Sequence, residues 1–443
     1  MSTLTLVIII VFVVGYICIA TESLLKINKA AIALLMCVAC WTLLMTAPGS
    51  FYPNVAPDGL LGHISEVIEH HLGDAAGTLF FLMGAMTIVE IVDSNGGFNF
   101  VRDALKTRSK RKLMWRVAFM TFFLSAILDN LTTSIVMIMV LRKLVQSRGD
   151  RLIYAALIVI SANSGGAFSP IGDVTTIMLW IKGVITTQGV LTEIFIPSLV
   201  SMVIPAFILQ YSLSGKFDKS QNLPAADVSQ FTKRQRDIIF WLGVGGLVFV
   251  PIFKTITHLP PFMGILLVLG VLWTVTEIFH HNTSEDDTMA KRVSDLLSRI
   301  DLSTIMFFLG ILMAVAVLQE IGVLTKLGEG LNETFNGNHY LVTGIIGVLS
   351  SIVDNVPLVA GCMGMYPVQP VGDMAVDGIF WQLLAYCAGV GGSMLIIGSA
   401  AGVVVMGLEK ITFGWYMKKI TWIAFVGYLA GILCYWFEKA FLF

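Results

Sequence analysis

Stretches of about 17 to 20 mostly apolar residues recur along this chain between short polar intervals, the pattern of helices that cross a bilayer. They predict spans at 4–21, 29–46, 76–92 and 195–213 in the first half, and at 237–256, 261–279, 302–319 and 420–437 in the second. Two further apolar stretches in each half depart from that pattern. One (114–145, then 340–367) carries Asp-Asn near its centre, and the other (152–181, then 378–408) is interrupted by an eleven-residue glycine-bearing segment. The interruptions run Asn163 to Asp173 and Gly389 to Ser399.

The halves repeat one pattern. Gly84 matches Gly310 at an offset of 226, Asp129 matches Asp354 at 225, and Gly165 matches Gly391 at 226. Duplicated halves with polar, glycine-broken segments at membrane depth point to a secondary transporter and to its binding site. The fold class expected is an all-α polytopic membrane protein built as an inverted-topology repeat, each half with about five spans, one re-entrant hairpin and one broken helix. The repeats are 1–215 and 237–443, joined by a cytoplasmic linker at 216–236. The stretch 47–74 is expected outside, and 284–299 as a cytoplasmic amphipathic helix.

Basic residues set the orientation. Seven lie between Arg102 and Arg116 and four between Arg142 and Arg151, so both ends of 114–145 are expected in the cytoplasm. Arms of about 15 residues would reach roughly 22 Å, short of the ~30 Å core, which fits a hairpin whose tip is Asp129-Asn130. A single tilted helix would instead put Arg142 to Arg151 outside. No Lys or Arg occurs from Leu327 to Glu409, so the second hairpin, tipped by Asp354-Asn355, is expected to enter from the external side.

Composition agrees: 56% of residues are hydrophobic, 13% charged, and the mean hydropathy is +0.84. The net charge of −1 carries no sign of a nucleic-acid partner, and none is expected. The first apolar stretch lacks a basic n-region and reads as a retained span. The six cysteines lie in apolar segments, and Cys37-x-x-Cys40 has no further ligands beside it, so neither a metal centre nor a redox pair is expected. No phosphate-binding G-x-x-x-x-G-K-[ST] is present, which argues against ATP as the energy source.

Candidate chemistry gathers at the hairpin tips and helix breaks. Asp129, Asp173 and Asp354 are expected near the midplane with Asn130, Asn355, Asn163, Ser164, Thr132, Thr133, Thr175 and Thr176, and with no Lys or Arg beside them. Ser393 and Ser399 lie in the second break. Buried carboxylates without a basic partner favour a cation, and hard oxygen ligands suit a small hard one. Burial and mutual repulsion also favour a proton on at least one carboxylate, so Na⁺ and H⁺ compete for one site. Asp129 and Asp173 are the expected carriers and Na⁺ ligands, with Asp354 as a third charge. Asp-Asn at a tip also serves simply as a helix N-cap, and Thr132 and Thr133 could each bond back to their own helix turn. Glu90, Glu320 and Glu409 fall near span ends, where reaching water accounts for them. His63, His70 and His71 read as solvated loop residues.

The strings ILDNLTTS, SANSGGAFSPIGDVTT and SIVDNVPLV resemble those of NhaD-type sodium/proton antiporters, in the wider ion transporter superfamily. The resemblance covers nearly the whole chain. It implies Na⁺(Li⁺)/H⁺ exchange by alternating access in the bacterial inner membrane, no cofactor beyond the transported ions, and a homodimer. It also implies roles in transport for Ser125, Asp129, Asn130, Asn163, Asp173, Thr175, Thr176, Ser350 and Asn355. The family's pH-linked histidines find no clear counterpart here. An anion permease of the same superfamily, for arsenite or a di- or tricarboxylate, remains the alternative; Asp129 and Asp354 speak against it. An enzyme lacks any His/Glu/Cys constellation of catalytic spacing.

Overall fold

The structure, a computed structural model, describes residues 3–98, 101, 104–213, 215–217, 232–281, 293–352 and 354–441. Among these residues the protein is helical, with no strand beyond an isolated bridge between Ser109 and Lys216. The principal helices of the first half are α1 (Thr3–Ala20), α2 (Lys29–Thr46), α3 (Leu60–Ser94), α4 (Lys110–Leu128), α5 (Asn130–Leu144), α6 (Arg148–Ala167), α7 (Val174–Lys182) and α8 (Phe195–Leu209). The second half supplies α9 (Lys233–Thr257), α10 (Pro261–His281), α11 (Leu302–Glu320), α12 (Val323–Thr334), α13 (His339–Ser350), α14 (Asn355–Met365), α15 (Ile379–Gly391), α16 (Ala400–Glu409) and α17 (Thr421–Phe441). Among the described residues seven helical segments, those of α2, α3, α8, α9, α10, α11 and α17, are long and apolar enough to cross a membrane.

Polar residues start these helices where their sequence says they should. Ser109, Ser147, Asp301 and Asn338 accept from backbone amides of α4, α6, α11 and α13 respectively, and Thr232 forms a capping box with Gln235 at the start of α9. The expected spans match within a few residues, with one exception: α3 begins at Leu60 rather than 76, so half of the supposed external loop is helix. Most of the expected linker, 216–236, and of the expected amphipathic helix at 284–299 lies outside the described residues; Val293–Leu297 is helical.

Two packing groups emerge. One is α1, α2, α3, α9, α10 and α11; the other is α4 to α8 with α13 to α17. Partners exchange between halves in one group, where α2 packs on α11 as α10 packs on α3, and repeat within each half in the other, where α4 packs on α6 as α13 does on α15. The groups meet where α11 lies against α14, α3 against α7 and α9 against α4.

The two hairpins begin at opposite ends of α8 and α17, which pack side by side. At the start of α4, Trp115 donates to Gln210 and Arg111 to the Leu213 carbonyl, just past the end of α8. At the start of α13, Tyr340 lies 6.3 Å from Tyr435 near the end of α17, where the Tyr435 hydroxyl donates to Glu193, just before α8. The first hairpin returns to the end it left, because Lys110 pairs with Asp150 at 2.6 Å. Its first arm starts at Lys110, four residues earlier than expected.

The helix breaks are shorter than their glycines suggest. Asn163 to Ala167 remain helical in α6, and only Phe168 to Asp173 leaves the helix; in the second half the gap runs from Gly392 to Ser399. Close packing explains the glycines inside the helices. A Cβ on Gly165 would collide with the Phe122 carbonyl, and one on Gly391 with the Gly347 carbonyl.

Candidate functional site

Asp173 is the centre of the site. It caps α7, accepting from the Thr175 amide at 3.1 Å, while its own amide and carbonyl engage the Thr176 hydroxyl. The capping box follows from Asp-x-x-Thr at a helix start. What distinguishes this cap is its company. Asn130, the first residue of α5, donates to Asp173 Oδ2 at 2.8 Å. Asn355, the first residue of α14, lies 3.4 Å from both Asp173 oxygens. Both hairpin tips therefore point an amide at one carboxylate, which is only 1% exposed.

A second layer continues into the other half. Asn130 also donates to Asn163 Oδ1 at 3.1 Å, and Asn163 in turn donates to Ser393 at 3.0 Å and Ser399 at 2.9 Å. Ser399 simultaneously caps α16 through the Gly402 amide. The polar string Asp173, Asn130, Asn163, Ser393, Ser399 thus ties the two breaks together with every member buried. Ser125 and Ser350 hold equivalent anchors, donating to the carbonyls of Ala162 at 2.6 Å and Ala388 at 2.8 Å. Ser164 accepts from Ser201 on α8, and the Thr133 hydroxyl is buried without a hydrogen-bond partner.

Asp129 sits apart from this string. It has φ +74°, and its carboxylate accepts from the Thr132 amide at 2.7 Å and hydroxyl at 3.0 Å, so tip capping occupies both oxygens. It borders a small apolar pocket lined by Phe81, Val89 and Leu247 of the first packing group. No cluster of three or more His, Cys, Asp or Glu with metal-holding geometry occurs among the described residues. Asp173 and Asp129 therefore supply single carboxylates in separate settings.

The expectation that no Lys or Arg stands near the three aspartates fails at Asp354. Lys29 Nζ lies 2.8 Å from Asp354 Oδ2. The reason is reach: Lys29 is the first residue of α2, and its long side chain extends inward from the helix end to the tip. Sequence alone offered only a lysine at the mouth of a span. Glu409 is likewise more than a span-end residue, because its fully buried side chain is held by Arg142 at 2.7 Å and Arg151 at 2.6 Å. Glu320 joins Tyr52 at 2.9 Å and His71 at 2.8 Å.

The electrostatics around Asp173 favour a cation over an anion. Helix N-termini carry positive partial charge, and those of α5, α7 and α14 converge where an anion would sit. That place is taken by the chain's own carboxylate. A carboxylate so buried, with no ion pair among the described residues, favours a proton or a metal cation beside it. A cavity of about 470 Å³ runs between the packing groups beside α7 and α14, lined by Thr78, Met178, Ala316 and Met363 among others, and reaches the end marked by His71 and Asp74.

Comparison with known proteins identifies the family. Residues 16–386 match the family described as a citrate transporter. Sodium/proton antiporter 1 of Arabidopsis thaliana is 45% identical over 427 residues, covering 96% of this chain and 71% of that protein. Sodium/proton antiporter 2 of the same plant is 41% identical, covering 96% and 98%. The Na⁺/H⁺ antiporter NhaD of Alkalimonas amylolytica is 30% identical, covering 98% and 90%. The chain thus belongs to the citrate transporter family and, within it, to the NhaD-type sodium/proton antiporters.

Proposed function

We propose that the protein exchanges Na⁺, and Li⁺ in its place, for H⁺ by alternating access, with cation and proton competing for Asp173. The observation that carries this reading is the convergence of Asn130 and Asn355, one from each hairpin, on that buried carboxylate. A single carboxylate can hold one proton or one cation, so loading either ejects the other. Hard oxygens for a small cation are at hand in Asp173, Asn130, Asn163, Asn355, Ser393 and Ser399, with Thr175 and Thr176 beside them. Asp129, capped but with no ion pair among the described residues, is the candidate second proton carrier, as exchange of two protons per Na⁺ would require.

Alternating access is supported by the two packing groups and by the cavity between them. The inverted-topology repeat is supported by the exchange of packing partners and by the hairpins starting at opposite ends. The bacterial inner membrane belongs to the same reading through the NhaD relatives, as does a homodimer through the resemblance. The anion permease is disfavoured because the spot that three helix N-termini prepare already contains a carboxylate.

Everted membrane vesicles with an acid interior test this. NaCl, LiCl, KCl and choline chloride are added in turn while the pH gradient is followed. Dissipation by Na⁺ and Li⁺ that is lost in Asp173→Asn supports the reading. No response to any cation from about pH 7 to 9.5, with the protein present in the membrane, overturns it.

A further inference from the structure

We propose that Lys29 is a latch: its ammonium holds the tip of the second hairpin at Asp354 and thereby favours the conformation seen here, in which the cavity on the His71 side is open. The proposal rests on the alternating-access reading. It names a residue that the ion-binding string does not contain.

Position is the first argument. Lys29 belongs to the packing group of α1, α2, α3, α9, α10 and α11, whereas Asp354 caps α14 in the other group. The ion pair at 2.8 Å therefore crosses the boundary along which one group would move against the other. Both side chains are largely withdrawn from solvent, at 23% and 14% exposure, and Nζ also lies 4.3 Å from the centre of the Phe307 ring on α11. A pair so placed loses its partner whenever the tip shifts by a few ångströms.

Rigidity is the second. The lysine is fixed to its own group at several points. Its backbone amide donates to Glu22 Oε1 at 3.1 Å, and the preceding Asn28 both caps α2 and donates to Ser303 at the start of α11. The lysine backbone therefore does not follow the tip, and the ammonium follows only as far as its side chain reaches.

Connection to the cargo is the third. Asp354 is directly followed by Asn355, which touches Asp173. A change at Asp173 that draws or releases the Asn355 amide moves the very residue that Lys29 holds. The cavity lies at the other end of α14, where Ala360 and Met363 line it. α14 is pinned to the first group at its start and still touches Gln319 of α11 at Gly364, but the cavity lies between its Ala360 and Met363 and the α3 residues Gly77 and Thr78, so the open side is the one away from Lys29. Asp129, the counterpart in the first hairpin, has no ion pair among the described residues, so only one tip is latched and the two access states are unequal.

The test uses the full-length chain with its six cysteines replaced and Met363→Cys introduced in the cavity wall. Right-side-out vesicles are treated with a membrane-impermeant maleimide in Na⁺-free buffer, and the labelling rate is compared for the parent, Lys29→Gln, Asp354→Asn, Lys29→Arg and the exchange Lys29→Asp with Asp354→Lys. Both neutral variants should label at least about fivefold more slowly, and the charge exchange should recover most of the loss. Lys29→Arg should stay within about twofold of the parent. Neutral variants that label like the parent overturn the latch. So does Lys29→Arg behaving like Lys29→Gln, which would assign the contact to packing rather than charge. Labelling needs no transport, so its result stands apart from the vesicle assay: exchange without a labelling effect removes the latch alone, and a labelling effect without exchange removes the antiport reading alone.

Discussion

The side-chain amide of Asn355 lies 3.4 Å from both oxygens of Asp173, although 182 positions separate them in the chain. That contact joins the second hairpin to the first broken helix. It makes the carboxylate a shared possession of the two halves, as the proposed alternating-access site would require.

Replacing Asp173 by Asn should abolish cation-dependent proton movement while leaving the protein folded, because a neutral amide of the same shape is cheaper to bury than a carboxylate. Asn355→Ala should retain exchange with a half-saturating Na⁺ concentration raised by about tenfold, the effect of losing roughly one good hydrogen-bonding ligand. Vesicle assays over a range of Na⁺ concentrations, with circular dichroism on purified protein, check both.

Competition sets the direction of the pH response. If Na⁺ binds the deprotonated Asp173 as proposed, acidification should raise the apparent half-saturating Na⁺ concentration, by up to about tenfold per pH unit where the site is mostly protonated. On the alkaline side the dependence should flatten. The maximal rate at saturating Na⁺ should change far less. A half-saturation that falls on acidification would exclude a shared site.

Glu409 ties the end of α16 to the first hairpin and the start of α6 through Arg142 and Arg151. Its side chain is fully buried, so Glu409→Gln leaves two arginines unpaired and should destabilise by about 3 kcal/mol. Arg151 is 22% exposed and Arg142 44%, so Arg151→Ala should be the more damaging of the two. Thermal unfolding of detergent-purified variants gives the order, and the opposite ranking would show that the clamp is not electrostatic.

Gly165→Ala and Gly391→Ala should each push a hairpin arm off its broken helix, since the added methyl meets a backbone carbonyl in both halves. Backbone cannot swing aside as a side chain can. Each variant should lower the melting temperature measurably, with a penalty of about 1 to 3 kcal/mol. Gly407→Ala, in open space on α16, is the control and should be neutral or slightly stabilising.

Much of this protein is written locally. Span positions, the two hairpins with Asp129-Asn130 and Asp354-Asn355 at their tips, and the broken helices all follow from apolar run length, charge placement and the repeat, which are properties of neighbouring residues. Asp173 as an N-cap is equally local, being decided by the residues that follow it. The break lengths were not legible, because a glycine that permits close packing, as at Gly165, looks in sequence like a glycine that ends a helix. Which aspartate forms the centre was also undecided: Asp129 and Asp173 read alike, with Asp354 beside them as a third charge, until packing showed the first capped by Thr132, the second ringed by amides and the third paired with Lys29. The first of these is local, but the other two come from contacts across 43 to 325 positions. Sequence determines which groups must leave water; only the tertiary fold determines which of them meet, and for a buried charge the partner it meets decides its role.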